Sequence, residues 1–348
     1  MCYGFGAVRE RTTALDRDDA LLHLIGVKEL TAGYEALRTT AAWVDLSARG
    51  KIRVTGEDRA RLLHAMSTNH VKDLQPGDGV YAFFLNDKGR ILTDAYIYSF
   101  GDSLLLDTEP ETADKLRDHL DRYIIADDAT VEDETDRWAC IGLEGPTSID
   151  RARELRIPAP DRKDSLERWE EGFVARVAST GPEGLRIFVL VGQKNTLISR
   201  LKSSGIPEAS SEECRIVRLE NGIPRYGEDI SERYLVQETQ LMHAVHANKG
   251  CYLGQEIVER VRSRGQVHRV LTPIRVRSTV PPAPGTKLRA DEKDIAEITS
   301  AVFSPALEEV VGLAYVRTEA ADGKFEMTVS GSEPPVTAYV VSSPRSLP

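Results

Sequence analysis

Sulfur and aromatic residues are scarce in this chain. Its 348 residues include four cysteines, four methionines and three tryptophans, and aromatic residues make up 6%. Cys2, Cys140, Cys214 and Cys251 stand far apart. No two have C-x-x-C spacing, which excludes a redox dithiol motif and a zinc knuckle. A single thiol can still ligate a transient cluster. Long apolar runs are missing too. Ile187 to Val191 is far shorter than the roughly 20 residues a membrane helix needs. The stretch Met1 to Glu10 lacks the charged-then-apolar order of a secretory signal. These absences point to a soluble protein of a reducing, cytoplasmic compartment. There is no Walker sequence, no HExxH and no metal-spaced histidine pair. P-loop and zincin chemistry are thereby set aside, and no stable metal site is expected. Tyr3-Gly4-Phe5-Gly6 and Gly181 to Gly184 lie in the wrong context for a nucleotide fingerprint. Cys2 would become N-terminal on loss of Met1, but nothing downstream supports an N-terminal cysteine amidotransferase.

What is present is ample for substantial cores. Hydrophobic residues make up 41%, and the length suits two or three domains. There are 45 basic and 55 acidic residues, a net charge of -10. That balance argues against a nucleic-acid coat protein, so direct nucleic-acid binding is not expected.

The pattern along the chain predicts an α+β organisation. Residues 16–38 read as two helical pieces, and 51–55 as a strand followed by a helix over 57–66. Strands are expected at 80–85 and 91–100, joined by a hairpin turn at Asn86-Asp87-Lys88-Gly89. A third strand, Leu104 to Leu106, precedes a helix over 110–122. A second set begins near Trp138, with strands at 138–143, 172–178 and 185–191 and a helix at 194–203. Residues 232–247 carry Leu235, Glu238, Met242 and Val245 at helical spacing, and 255–262 read as a further helix. After residue 266 short strands recur between glycine and proline turns, which suggests a small β-barrel or sandwich.

Three places are candidates for chemistry. Lys249-Gly250-Cys251-Tyr252-Leu253-Gly254-Gln255-Glu256 sets Cys251 just before a helix. There, orphan amides and the helix dipole favour a thiolate, and Lys249 can assist while Glu256 opposes. The alternative is a small cysteine chosen for packing. The basic tail Arg260, Arg262, Arg264, His268 and Arg269 suits an anionic ligand, or is simply a solvated face. Asp94 lies in the apolar strand Ile91 to Ile97, where a carboxylate needs compensation or solvent. Alternation puts Leu92, Asp94, Tyr96 and Tyr98 on one face, either a polar cavity wall or the outer face of a sheet. Asn69 caps the preceding helix or points into that cavity. Arg218 and Glu220 alternate with apolar residues and either clamp a heteroaromatic ring or form a structural ion pair.

KGCYLGQE at 249–256 resembles the signature of the YgfZ family of folate-binding iron–sulfur cluster maturation proteins. The wider chain, over roughly 35–320, is similar to the T-protein of the glycine cleavage system, an aminomethyltransferase. The likeness runs through Ala42-Trp43-Val44-Asp45-Leu46-Ser47, Ile52 to Gly56, and Thr68-Asn69. It continues in Gly142 to Pro146, Arg218 to Gly222, Phe303-Ser304-Pro305 and Gly312 to Val316.

The resemblance implies an α+β, three-lobed molecule with mainly antiparallel sheets and a C-terminal β-barrel around a central channel. The first lobe, 1–48 plus 135–265, would be discontinuous. The second, 49–134, would be inserted into it, and 266–348 would form the barrel. It also implies tetrahydrofolate or a derivative as the ligand. Asn69, Asp94, Glu183, Arg218, Lys249, Tyr252 and Arg262 would be its contacts, Cys251 the functional thiol or transient cluster ligand, and Asp94 a catalytic carboxylate.

Two departures bear on activity. The T-protein's Asp-Asp pair reads Thr93-Asp94 here, and its Thr-Gly-Glu segment reads Thr180-Gly181-Pro182-Glu183. The expectation is therefore a monomeric maturation factor for iron–sulfur clients, including tRNA-modifying enzymes, rather than a classical enzyme. A folate-dependent aminomethyltransferase or methyltransferase is the alternative, and a non-catalytic scaffold the second alternative.

Overall fold

The computed structural model describes residues 31–265, 267–323 and 326–341. Cys2, the Tyr3–Gly6 stretch, the first of the two expected helical pieces and the Arg264 side chain lie outside the described residues.

Helix α1 (Ala32–Thr39) is capped by Thr31, whose hydroxyl accepts the Tyr34 N–H. Strand β1 (Ala42–Asp45) follows. The chain then builds β2 (Gly50–Thr55), α2 (Arg59–Met66), β3 (Gly79–Leu85), β4 (Ile91–Ser99), β5 (Leu104–Thr108), α3 (Ala113–Asp121) and β6 (Thr130–Asp133). These five strands form one antiparallel sheet in the order β3-β4-β5-β2-β6. Strand β7 (Trp138–Glu144) returns to pair with β1, Trp43 opposite Leu143. Next come α4 (Ser148–Glu154), β8 (Leu166–Trp169), β9 (Gly172–Ala175), β10 (Gly184–Leu190) and α5 (Lys194–Ser203). They complete a second sheet, β1-β7-β10-β9-β8. Helices α6 (Ser211–Glu220) and α7 (Gln255–Arg264) lead into β11 (Arg269–Val276), β12 (Lys287–Ala290), β13 (Lys293–Ser304), β14 (Glu309–Arg317), β15 (Glu326–Val329) and β16 (Thr337–Val340). The last six strands close into a barrel, which leaves no sheet edge exposed. This is the expected α+β architecture of two antiparallel-sheet lobes and a C-terminal barrel.

Period-two alternation explains the layering. On β4, Ala95 and Ile97 face outward and pack with Leu62 and Leu63 of α2 and Leu116 and Leu120 of α3. Tyr98 and Leu105 face inward and meet Cys140, Phe173 and Phe188 of the other sheet. The second sheet is covered in the same way by Ala152 of α4 and Leu197 and Leu201 of α5. A third cluster joins Tyr81 and Phe83 of β3 to Leu219 of α6 and Leu313 and Tyr315 of the barrel. The sheets therefore face one another with helices outside, and the barrel closes one side. Among the described residues no helix is long and apolar enough to cross a membrane.

Two local expectations fail. Residues 232–247 are not one helix but two short 3-10 turns, Val236–Thr239 and Met242–Ala244, parted by Gln240 at φ 62. Side chains take the backbone bonds a helix would use. Glu238 accepts the Leu235 N–H at 2.8 Å and Thr239 accepts the Leu241 N–H at 3.2 Å. Arg218 and Glu220 do not form an ion pair with each other. They sit on α6, which Ser210 and Glu213 start as a capping box.

Candidate active site between the two sheets

The inner faces of the sheets separate beside their shared aromatic core and enclose a cavity of about 790 Å³. Asp94 of β4 is 7% exposed and lines it. Its Oδ2 accepts the Tyr81 hydroxyl at 2.6 Å. Burial first, and the nearby Glu109 second, push the Asp94 carboxyl up to about 6, against the Tyr81 bond, Arg49 and Arg186. Burial and Asp94 also hold the Tyr81 phenol protonated, well above its ordinary range. Tyr81 belongs to an aromatic wall, 4.9 Å from Tyr96 and stacked at 5.6 Å on His243.

Beside Asp94 runs a ladder of alternating charge. Fully buried Asp107 of β5 accepts Arg49 Nε at 2.6 Å and Arg186 Nη1 at 2.5 Å. Burial alone would raise its pKa, but Arg186 and Arg49 outweigh that and hold it below the usual carboxylate range. Arg49 also pairs with Glu109, which accepts Arg225 Nε at 2.9 Å. Arg186 comes from β10 and Asp107 from β5, so this pair joins the two sheets. The Arg186 guanidinium also lies 4.7 Å from the Tyr96 ring centroid. Glu144 fixes the rim by accepting the Ser179 N–H at 3.0 Å and the Thr180 N–H at 3.2 Å.

A smaller chamber of about 370 Å³ opens next to the cavity, and Tyr96, Ala178 and His243 line both. Its other walls include Lys163, Asp164, Arg176 and Glu183. Arg176 pairs with Glu183 at 2.9 Å. Burial raises the Asp164 carboxyl, with His243 the strongest opposing influence, and burial lowers the His243 imidazole.

The residues singled out from sequence fall in three places. Asp94 and Arg218 line the cavity and Glu183 the chamber. Arg218 is committed to Asp229 at 2.8 Å, Glu228 at 2.5 Å and the Ile223 carbonyl, so its guanidinium forms structural ion pairs. Asn69 lies behind the wall rather than in it. It donates to the Tyr81 carbonyl at 2.8 Å and the His243 carbonyl at 3.0 Å, and accepts the His70 N–H at 2.8 Å.

Lys249, Cys251, Tyr252 and Arg262 do not line the cavity. Lys249 donates to the His64 carbonyl and, at 2.5 Å, to the Ser67 carbonyl, at the C-terminal end of α2. Its ammonium lies 4.8 Å from the Tyr252 ring centroid, and burial pulls it down to about 7. Cys251 is exposed and free, and Arg262 pairs at the surface with Glu259 at 3.3 Å. Among the described residues no three His, Cys, Asp or Glu side chains converge to hold a metal ion.

Sequence reading missed Arg49, Tyr81, Asp107, Glu109, Arg186, Asp164 and His243. Two of these carried the same signal as Asp94. Arg186 stands between Leu185 and Ile187, and Asp107 ends Leu104-Leu105-Leu106, each a charge on an apolar strand. Chemically, the site offers a carboxylate that exchanges its proton near neutral pH, next to aromatic surface and fixed charge.

Comparison with known proteins identifies the family and the fold. The GCVT N-terminal domain family matches residues 27–249, and the glycine cleavage T-protein C-terminal barrel domain matches 269–345. An aminomethyltransferase of Rubrobacter xylanophilus is 29% identical, over 90% of this chain and 86% of its own length. One of Deinococcus deserti is 27% identical, over 88% and 86%. The crystal structure of glycine cleavage system aminomethyltransferase T from Bartonella henselae superposes with a TM-score of 0.81 at 20% identity, over 90% of this chain and 88% of that one. It shows the shared fold. The expectation of a maturation factor rather than an enzyme is overturned by this run of aminomethyltransferases, which match nearly end to end, and so is that of a non-catalytic scaffold. The chain belongs to the glycine cleavage T-protein (GCVT) family of aminomethyltransferase-like proteins.

Proposed function

We propose that this protein is a folate-dependent aminomethyltransferase. It binds tetrahydrofolate in the central cavity and transfers a one-carbon unit to it from an aminomethyl-thioether carrier of the lipoyl type. The observation that carries this reading is Asp94, a buried carboxyl facing a 790 Å³ cavity and poised at about 6. The volume suits a ligand of tetrahydrofolate's size, and apolar and aromatic walls with a few fixed polar groups are what such a ligand requires.

Two folate N–H bonds give way to two carbon–nitrogen bonds, and the two protons released end on the departing ammonia and the carrier thiol. A secondary amine of the folate attacks the carrier's methylene carbon, and in the overall exchange the carbon leaves sulfur and ammonia for the two folate nitrogens. The amine loses its proton as the new carbon–nitrogen bond forms. Asp94 takes that proton and returns it to a departing group, and Tyr81 holds the acceptor oxygen in place. Arg49 and Arg186, both fixed by Asp107, favour the ionised carboxylate and keep the cavity's field constant.

A second reading attaches to Cys251. Its exposure in the KGCYLGQE loop suits contact with an iron–sulfur client, as the YgfZ resemblance implies. One set of variants tests both. Purified protein, tetrahydrofolate and aminomethylated carrier should give methylenetetrahydrofolate and ammonia. Asp94→Asn should lower kcat by at least about a hundredfold, a usual size for loss of a general base, and Cys251→Ala should leave kcat unchanged. Absence of turnover in the unmodified protein would sink the transferase reading. Full recovery of iron–sulfur enzyme activity by Cys251→Ala in cells lacking the protein would remove the second.

A further inference from the structure

The transfer moves two protons, and Asp94 can carry one at a time. Each substitution has the same balance. A folate amine bonds to the carrier's methylene carbon and sheds its proton. The bond from that carbon to the carrier's nitrogen or sulfur breaks, the electron pair stays on the departing atom, and that atom takes up a proton. Two such steps call for two proton carriers, or for one that is reset between them.

The cavity wall holds a second group of suitable chemistry. His243 lines both the cavity and the smaller chamber, and its ring stacks on Tyr81, whose hydroxyl donates to Asp94. Among the described residues its ring nitrogens have no hydrogen-bond partner. The other imidazoles of this region are engaged. His64 Nδ1 accepts the Val71 and Lys72 N–H groups, each at 3.3 Å. His70 pairs with Asp73 at 2.8 Å, and His246 Nδ1 accepts the Asn248 N–H at 3.2 Å. The acids beside Asp94 are engaged too. Burial would raise Asp107 and Glu109, but their arginines outweigh it and hold both below the usual carboxylate range.

His243 is also fixed relative to the partner of Asp94. It is the middle residue of the 3-10 turn Met242–Ala244. Asn69 donates to the His243 carbonyl at 3.0 Å and to the Tyr81 carbonyl at 2.8 Å. Thr68 repeats the pattern: its hydroxyl donates to the Ala244 carbonyl at 2.6 Å and accepts the Phe83 N–H at 2.9 Å. Two neighbouring side chains thus fasten the His243 turn to the edge of β3 that carries Tyr81. Support of this kind positions a functional group whose own polar atoms stay free for a ligand.

We propose that His243 is a second catalytic proton carrier of this site, taking the proton of one folate amine and passing it to the group that departs in that step, while Asp94 serves the other step. This rests on the transferase reading above and deepens it. The imidazole is in the right form. Burial lowers it, Asp164 opposes that and Lys163 adds to it, so the ring is neutral and able to accept a proton at pH 7.5. Tyr81 and Tyr96 on the same wall stay protonated, and Arg176 and Glu183 of the chamber pair with each other.

Turnover of tetrahydrofolate and aminomethylated carrier tests this. His243→Gln keeps hydrogen-bonding atoms but does not titrate. It should lower kcat about a hundredfold or more, the usual loss for a proton-transfer group, and change tetrahydrofolate affinity by less than about twofold. The pH profile separates this from a structural role. In the unmodified protein kcat falls as pH drops through about 6, where Asp94 gains its proton. In His243→Gln the limiting step no longer draws on Asp94, so that limb should vanish from kcat. His243→Ala covers the case in which the glutamine variant fails to fold, and added imidazole should restore part of its rate. Unchanged kcat in the variants would overturn the proposal and leave both protons to Asp94. A lower kcat that keeps the limb near 6 would also overturn it, since His243 would then act only by holding Tyr81 and Asp94 in place. If the unmodified protein shows no turnover, the transferase reading itself fails. If it turns over and the variants match it, only the role of His243 fails.

Discussion

Asp94 is where stability and function pull in opposite directions. Its native pKa of about 6 lies above the ordinary carboxylate value of 3.8. Between these pH values the folded protein binds more protons than the unfolded chain, so stability falls as pH rises through that window. At about 1.4 kcal/mol per pKa unit, keeping Asp94 ionised costs about 3 kcal/mol at pH 7.5. Asparagine does not titrate, and its side-chain oxygen can still accept the Tyr81 hydroxyl. Asp94→Asn should therefore be the more stable protein at pH 7.5, by up to about 3 kcal/mol, with the gap closing near pH 4. Urea denaturation at the two pH values measures this. A variant less stable at pH 7.5, or a gap independent of pH, would show that the carboxylate is not strained by burial.

Asp94 was legible in the sequence because a charge on an apolar strand is conspicuous. Tyr81 and His243 were not, since an aromatic or a histidine in such surroundings reads as ordinary core. Asp164 was lost in a charged surface stretch, because only the tertiary contact with Gly79 shows that its loop is pressed inward.

At the scale of elements, strands and most helices followed from alternation and turn residues. The hairpin at 86–89 joins β3 and β4 as expected, Ala82 opposite Ala95. Helical spacing misled at 232–247, where side chains of Glu238 and Thr239 bind the local backbone and split the segment. Lys249 shows the same limit. Its place beside Cys251 suggested help for a thiolate, yet its ammonium holds the end of α2 instead. The packing of the 164 loop on β3 gives a direct test. In Gly79→Ala the added methyl would meet backbone rather than a movable side chain. Overpacking of this kind costs about 1–3 kcal/mol. The urea midpoint should fall accordingly, and tetrahydrofolate affinity should weaken with it as the loop that lines the smaller chamber is displaced. A variant with unchanged midpoint and affinity would mean that the loop is not held where β3 places it.

At the scale of the molecule, buried polar ties hold the lobes around the cavity. Arg186 and Asp107 join the two sheets. Asp229 accepts the Thr299 hydroxyl at 2.8 Å and the Ser300 hydroxyl at 2.5 Å from the barrel. Glu220 of α6 accepts the Ser304 hydroxyl at 2.7 Å. None of these pairs could be read from sequence spacing, because each joins residues at least 70 positions apart. Removing one member of such a tie would leave the other buried and unpaired, so these residues fix the cavity's shape.

The central claim is that this cavity, and not the exposed cysteine loop, is the seat of one-carbon chemistry. A crystal structure with tetrahydrofolate bound tests it most directly. The folate should lie between the two sheets with a reacting nitrogen within hydrogen-bond reach of the Asp94 carboxylate, about 2.6–3.2 Å. A folate bound at the Cys251 loop, or one whose reacting nitrogens lie away from Asp94, would contradict it.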